Sequence, residues 1–599
     1  MNHNLKYCEN FSNYKRLNSL EVNIGGIALG GNNPIRIQSM TNTNTLDTDA
    51  SVEQTIRLAL AGSDYVRLTA SSTKEAENLA FIKKKLKEKG FSTPLIADIH
   101  YNPKAAEIAA RTVEKIRINP GNFHDRNLEV KKIYSDKDYV EELEKIQEKL
   151  LPLIKVCKQY GTAIRIGTNH GSLSHRVVGR YGDTPKGMVY STLEFLKMFE
   201  DENFKNIVIS LKSSNTLVMI EAYRLLAQQM IQNNRIYPLH LGVTEAGNYD
   251  EGRIKSAFGI GTLLADGIGD TIRVSLSEPP ENEIPVAKKI IKYISEIANE
   301  KQNTENTFPN YSPYEFIKRN TSTVLHSGSQ KQPSVVLNEV NNINFIEKNY
   351  SFNKDSEIWN KTENSPEYLF RKNSEFLTDN YIIESENNFF QFIDTDKVIE
   401  YDCWEKLKSA NNLILIISGK NIHKSRLFIN KLIAEKVNLP VILKISTGFK
   451  DKDQALVETS IKAGFLLADG LINGIWIDSD DDIELTHKTA LNILQASRQR
   501  FSTTEYIICP TCGRTQFDIQ KVSDVIKEYT NHLKGIKIAV IGCIVNGIGE
   551  MADADYGYVG MGNGKISLYK GKTLVRKGIE EDKALNELIA LINESGDWK

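Results

Sequence analysis

The sequence predicts an α/β protein in three parts: an N-terminal (β/α)8 TIM barrel over 1–295, an inserted, degenerate barrel-like α/β domain over 296–500, and a small C-terminal α/β domain over 501–599. Three observations carry that prediction. Eight short β-branched runs alternate with helix-like segments between residues 35 and 276. The stretch LLADGIGDTIRVS (263–275) returns as LLADGLINGIWID (466–478). A separate strand–helix–strand pattern begins after residue 501.

The eight runs are IRIQS (35–39), YVRLT (65–69), PLIADI (94–99), KIRIN (115–119), AIRIG (163–167), IVISLK (207–212), LHLGV (239–243) and TIRVSL (271–276). Segments such as ASVEQTIRLALAG and NPKAAEIAARTV lie between them with apolar residues at helical spacing. Strands that alternate with helices must pair in parallel through crossovers, and eight of them close a barrel; an open doubly wound sheet is the competing arrangement. Residues 296–380, with NEKQNTENTFPNYSPYEF and IEKNYSFNKDSEIWNKTENSPEY, read as largely linker and irregular surface. Regular texture returns over 381–500 in NLILIIS (412–418), PVILKIS (440–446) and GIWIDS (474–479). In the repeated stretch Trp476 stands where the first copy has Arg273, and Asp478 where it has Ser275. The copy has lost a cation and a hydroxyl, so a scaffold or spacer role is expected of it.

In the last part EYIIC (505–509) and GIKIAVIGC (535–543) flank the amphipathic KVSDVIKEYTNHL. A β-α-β crossover makes the two strands parallel, with their C-terminal ends on one edge. That edge receives Cys509 and Cys512 of CPTCGR and Cys543 of GCIVNGIGE. The other cysteines, 8, 157 and 403, have no such neighbours. Three thiols leave one position open in a four-ligand site, and Glu550, in a glycine-rich loop, is the nearest candidate for it. A labile oxygen ligand beside three thiolates suits an iron–sulfur cluster; a zinc site and plain buried thiols remain the alternatives.

Net charge is −1, which excludes a bulk electrostatic attraction to nucleic acid or an anionic membrane. The N-terminus lacks a signal-peptide core and no apolar run is long enough to span a bilayer, so a cytoplasmic location is expected. Charge is concentrated locally. Arg67, Arg117, Arg165, Lys212 and Arg273 sit inside the β-branched runs, which place them toward the barrel mouth, where active sites collect. Five cations there call for a small, multiply anionic ligand such as a phosphate ester, unless carboxylates such as Asp98 or Glu245 neutralise them. Asn119, Asn169, His240 and Ser275 add hydrogen-bonding groups at the same rim. GIGTLL (259–264) lacks the third glycine and preceding strand of a dinucleotide loop, and GYVGMGNGK (557–565) reads as a hairpin turn.

IQSMTNT, ADIHYNP, IRINPGN, IRIGTNHGSLS, HLGVTEAG, GIGDTIRVSL, CPTCGR and GCIVNGIGE, in that order, resemble the 4-hydroxy-3-methylbut-2-enyl diphosphate synthases, in their large, insert-containing form. The resemblance implies one 4Fe–4S cluster per chain on Cys509, Cys512, Cys543 and Glu550. It implies reductive ring opening of 2-C-methyl-D-erythritol 2,4-cyclodiphosphate in isoprenoid biosynthesis, with ferredoxin or flavodoxin as electron donor. Arg67, Arg117, Arg165, Lys212 and Arg273 would hold the phosphates with Asn169 and Ser275. Glu245 would be the catalytic acid, and Asp98, Asn119, His240 and Asn546 complete the substrate-facing set. The family loop usually reads Asn-Gly-Pro-Gly-Glu, whereas Ile548 replaces the proline here. The cluster domain is expected to close over the barrel mouth as a lid, either from a homodimer partner or within one chain with the insert as spacer. A pterin-type barrel methyltransferase with a zinc-bearing appendage and a zinc-stabilised binding module are the alternatives from other classes.

Overall fold

The structure is a computed structural model that describes residues 6–123, 134–300, 307–338, 343–353, 358–371, 375–378, 381–384, 389–395, 401–544, 549–551 and 553–599; Asn546 and Ile548 lie outside them. The chain forms two units. One comprises Arg16–Ser256, Gly267–Ile291 and Thr504–Lys599, and the other Met1–Lys15, Ala257–Asp266 and Lys292–Thr503.

In the first unit eight parallel strands follow one another around a barrel: Arg36–Met40, Tyr65–Thr69, Leu95–His100, Lys115–Ile118, Ala163–Asn169, Ile207–Lys212, His240–Leu241 and Thr271–Ile272. The last pairs back onto the first, and a parallel bridge from Ile209 to Leu239 joins the sixth to the seventh. All eight strands lie within the predicted runs, give or take a residue or two at the ends, the last two shortened to two residues each. The loops that leave the mouth are set by helix caps read directly from side chains: Asp47, Ser72, Asn102 and Asn215 each accept a backbone N–H of the following helix. The opposite end is plugged by a hairpin, Val22–Ile24 with Ile27–Leu29, whose apolar residues pack on Tyr65, Ile96, Ala163 and Val208.

The C-terminal part of this unit is a five-stranded sheet in the order Glu505–Ile508, Lys537–Ile541, Tyr556–Gly562, Lys565–Lys570, Thr573–Glu580. The first two strands are parallel with Ile508 opposite Val540, joined through the helix Ile519–Thr530. GYVGMGNGK does form a hairpin, turning at Asn563 and Gly564 with φ of 55° and 68°, the left-handed geometry such two-residue turns require.

The second unit contains a half-barrel. Six mutually parallel strands run Tyr368–Arg371, Ser334–Asn338, Gly474–Asp478, Val441–Ser446, Ile414–Ser418, Phe390–Ile393, and two antiparallel strands, Glu375–Thr378 and Tyr381–Glu384, extend one edge. The reading of 296–380 as largely linker is therefore corrected. SVVLN (334–338) lies in the middle of the sheet, and five further strands or hairpin arms lie between 350 and 384, the last of them just past the segment read as linker. These are four or five residues long and flanked by Asn, Ser and Lys, so local periodicity is too short to reveal them; only Ser334–Asn338 is paired to a distant strand, Gly474–Asp478.

The repeated stretch has the same structural job in both copies. Asp270 Oδ2 accepts the N–H of Leu239 (2.8 Å), and Asn473 Oδ1 accepts that of Val441 (3.0 Å). Each clamps the start of the preceding strand. Where Arg273 faces the first barrel, Trp476 is fully buried against Phe370 with Lys444 Nζ 4.1 Å from its ring, and its Nε1 donates to Asn338.

Arg426 anchors this unit. Its guanidinium lies 4.1 Å from the rings of both Phe11 and Phe465, pairs with Asp266 at 2.6 Å and donates to the Phe11 carbonyl. Arg426→Ala leaves the Asp266 carboxylate buried without its counter-charge, a change worth about 3–5 kcal/mol. A clear drop in the urea midpoint of the protein is the expected result, and an unchanged midpoint refutes it.

Candidate active site

The inward-facing layer of the barrel is set by strand register. Asp98 stands opposite Arg117, and Arg117 opposite Arg165, on three consecutive strands. Arg67 lies within the second strand, Lys212 ends the sixth, and Arg273 follows the eighth. All five cations are buried, and all line one cleft together with Asp98, Asn169, Glu245 and Ser275.

Positive charge in this cleft is under-compensated. Arg273 pairs with Glu283 (3.0 Å) and Arg117 with Asp98 (3.2 Å). Arg67 Nε and Nη2 meet the Met40 sulfur at 3.1 and 2.9 Å, a weak acceptor. Arg165 Nε and Nη1 have no hydrogen-bond partner among the described residues. Burial and then the neighbouring arginines hold Arg165 and Lys212 well below their ordinary pKa values, and burial brings Arg67 down to about 10. Buried cations that repel one another need an anion from outside.

Asp98 is held ionised. Burial works against its charge, but His100, Arg67 and Arg117 outweigh it and place its pKa well below the ordinary range. His100 has φ of 65°, a left-handed backbone uncommon for a residue with a Cβ, at a register shift in the third strand. That turn points its ring at both partners, with Nδ1 3.0 Å from Arg117 Nη1 and Nε2 3.3 Å from Asp98 Oδ2. Burial and Arg117 push the imidazole down to about 3, so it is neutral, and its Nε2 also lies 2.6 Å from Arg117 Nη1.

The C-terminal sheet covers this mouth within one chain. Lys255 reaches Glu505 (3.5 Å), Lys527 reaches Glu251 (2.7 Å), and Ala246 forms a β-bridge with Ile508. That bridge sets the loop carrying Glu245 beside the strand that ends at Cys509. Cys509, Cys512 and Cys543 thereby line the same cleft as the cations, with Glu550. Gly542 donates its N–H to Cys509 Sγ at 3.1 Å, and Glu550 accepts from Asn169 and from Thr244 (3.3 Å). Glu245, with φ of 48°, is raised well above the usual carboxyl range by burial and then by the adjacent Glu550. Burial likewise raises the Cys509 thiol, with Cys512, Glu245 and Cys543 adding to it.

Three thiols and a carboxyl on one wall repel one another once ionised, so the donor set calls for a metal centre. Among the described residues no three such side chains converge closely enough to hold a single ion.

Of the residues singled out in the sequence, two are absent from the cleft lining. Asn119 donates to Ser172 Oγ (3.0 Å) and its Oδ1 accepts from Gly121, so it shapes the turn after its strand. His240 lies buried with both ring nitrogens unpartnered among the described residues, held neutral by burial and then by Arg165 and Lys212. Asn546 falls outside the described residues. Among the lining residues passed over are Met40, His100, Thr244 and Arg514. His100 carried no local signal, because the register shift and left-handed φ that turn its ring toward Asp98 break the strand period.

The family model described as GcpE TIM-barrel domain matches residues 19–288, and that of the GcpE protein C-terminal domain matches 505–594. A Parabacteroides distasonis protein named 4-hydroxy-3-methylbut-2-en-1-yl diphosphate synthase (flavodoxin) is 44% identical over 98% of this chain and 99% of its own. Proteins of that name from Protochlamydia amoebophila and Leptospira interrogans are 41% identical, over 99% of this chain and 98% of their own, and 40% identical, over 100% and 99%.

Proposed function

The chain belongs to the GcpE family, and from that premise we infer that it is an oxidoreductase that opens 2-C-methyl-D-erythritol 2,4-cyclodiphosphate reductively to 4-hydroxy-3-methylbut-2-enyl diphosphate. The observation that carries the reading is a cleft with under-compensated buried cations on one wall and three thiols with Glu550 on the other. A cyclic diphosphate satisfies the first wall and a redox metal centre the second.

Cys509, Cys512 and Cys543 would hold a 4Fe–4S cluster, with Glu550 as the exchangeable fourth ligand. When bound, such a cluster would relay the donor's two electrons one at a time and offer a site where the ring C–O bond is broken. The chain's own residues do the rest. Arg67, Arg117, Arg165, Lys212 and Arg273 hold the diphosphate oxygens, and Arg forks fix the ring in one orientation. Asn169 and Ser275 donate hydrogen bonds from the same rim. Glu245, whose protonated form is favoured by burial and by the adjacent Glu550, passes its proton to the hydroxyl that leaves as water. The sheet over the mouth excludes bulk water. Reduced flavodoxin delivers the electrons, as the relatives' name suggests; ferredoxin is the second candidate.

Anaerobic purification, iron and sulfide analysis, and turnover of the cyclodiphosphate with reduced flavodoxin test this. Zinc in place of iron with no turnover overturns it. Glu245→Gln keeps the hydrogen-bonding shape without the proton: turnover should fall about 100-fold or more while cyclodiphosphate affinity stays within a few-fold. Full turnover in that variant removes Glu245 as the acid.

A further inference from the structure

One cation at the cleft comes from the covering sheet domain. Arg514 lies two residues after Cys512 in CPTCGR and is 9% exposed. Its Nη2 is 3.4 Å from Asp98 Oδ2, while Nε and Nη1 are buried with no hydrogen-bond partner among the described residues. Asp98 already serves Arg117 and His100, so this contact leaves most of the guanidinium unused. The loop that carries it is pressed onto the barrel. A Cβ on Gly513 would meet the Thr43 carbonyl oxygen at 2.4 Å, and Asn42 donates to Thr511 at 3.1 Å.

We propose that Arg514 is a phosphate ligand of the substrate, delivered by the cysteine-bearing loop, and that Asp98 parks its guanidinium over the cleft until a phosphate oxygen takes the two free N–H groups. This rests on the reading of the cleft as a cyclic diphosphate site. Its consequence is a coupling between two chemistries that lie far apart in the chain. A phosphate held jointly by barrel cations and Arg514 ties the cysteine loop to the occupied mouth, and the docked loop in turn tightens phosphate binding, as linkage demands. No other basic side chain of residues 504–599 lines the cleft among the described residues.

The test uses full-length protein purified without oxygen, with the cyclodiphosphate titrated calorimetrically into wild type, Arg514→Gln and Arg514→Lys. Iron content and visible spectrum are recorded for each. Arg514→Gln should weaken binding about 10- to 100-fold, the loss expected for charge-assisted hydrogen bonds, with iron and spectrum unchanged. Arg514→Lys should recover part of it, because an ammonium restores the charge without the fork. Unchanged affinity in an iron-replete Arg514→Gln protein overturns the proposal. So does loss of iron in both variants with affinity retained, which makes the residue a support of the cysteine loop. A wild-type protein that fails to bind the cyclodiphosphate overturns the underlying reading and this inference with it; wild-type binding beside an unaffected variant overturns this inference alone.

Discussion

Cys543→Ser should leave a protein that still folds and binds the cyclodiphosphate but is nearly free of iron and inactive. A serine hydroxyl gives up its proton far less readily than a thiol and is a poor ligand for soft iron sites. Cys543 is half-exposed on the cleft wall, outside the buried core of its domain, so the substitution removes a donor without opening a cavity. The expected readings are iron and sulfide near zero, loss of visible absorption, and cyclodiphosphate affinity within a few-fold of wild type, since the cations on the barrel wall are untouched. Retained iron and turnover would contradict the ligand assignment. Retained metal that proves to be zinc would move the protein to a different chemical class.

Arg165→Met should weaken cyclodiphosphate binding by about 10- to 100-fold while leaving the iron content unchanged. A second measurement gives this prediction its sharper edge. Arg165 is held below its ordinary pKa by burial and by Arg67 and Arg117, and has unpartnered nitrogens. Its removal relieves repulsion in the ligand-free protein, so the urea midpoint without substrate should hold steady or rise. Were Arg165 instead one half of a structural ion pair, the same change would lower the midpoint and spare affinity. The two readings predict different outcomes in both assays.

The barrel strands were legible because each is a β-branched run next to a helical stripe. CPTCGR and GCIVNGIGE were legible for a different reason: a β-α-β crossover admits one strand orientation, so the cysteines had to share an edge. The strands between 334 and 384 were not legible: the run at 334–338 pairs with the distant Gly474–Asp478, and the others are arms four residues long in Asn-, Ser- and Lys-rich sequence, too short to show a period. Arg514 was in plain view in a quoted motif, but nothing local distinguishes a basic residue that faces solvent from one that faces a cleft.

The amino-acid sequence alone determined which residues can do the chemistry: the thiols, the carboxyls and the barrel cations are a matter of residue type and of strand parity. Tertiary structure decided which of them meet. The bridge from Ala246 to Ile508, the bulge that turns His100 toward Asp98 and the reach of Arg514 across the mouth all join segments hundreds of residues apart or break a local period. Side-chain identity is encoded residue by residue, whereas proximity between distant segments is a property of the folded packing, which no window of the chain contains.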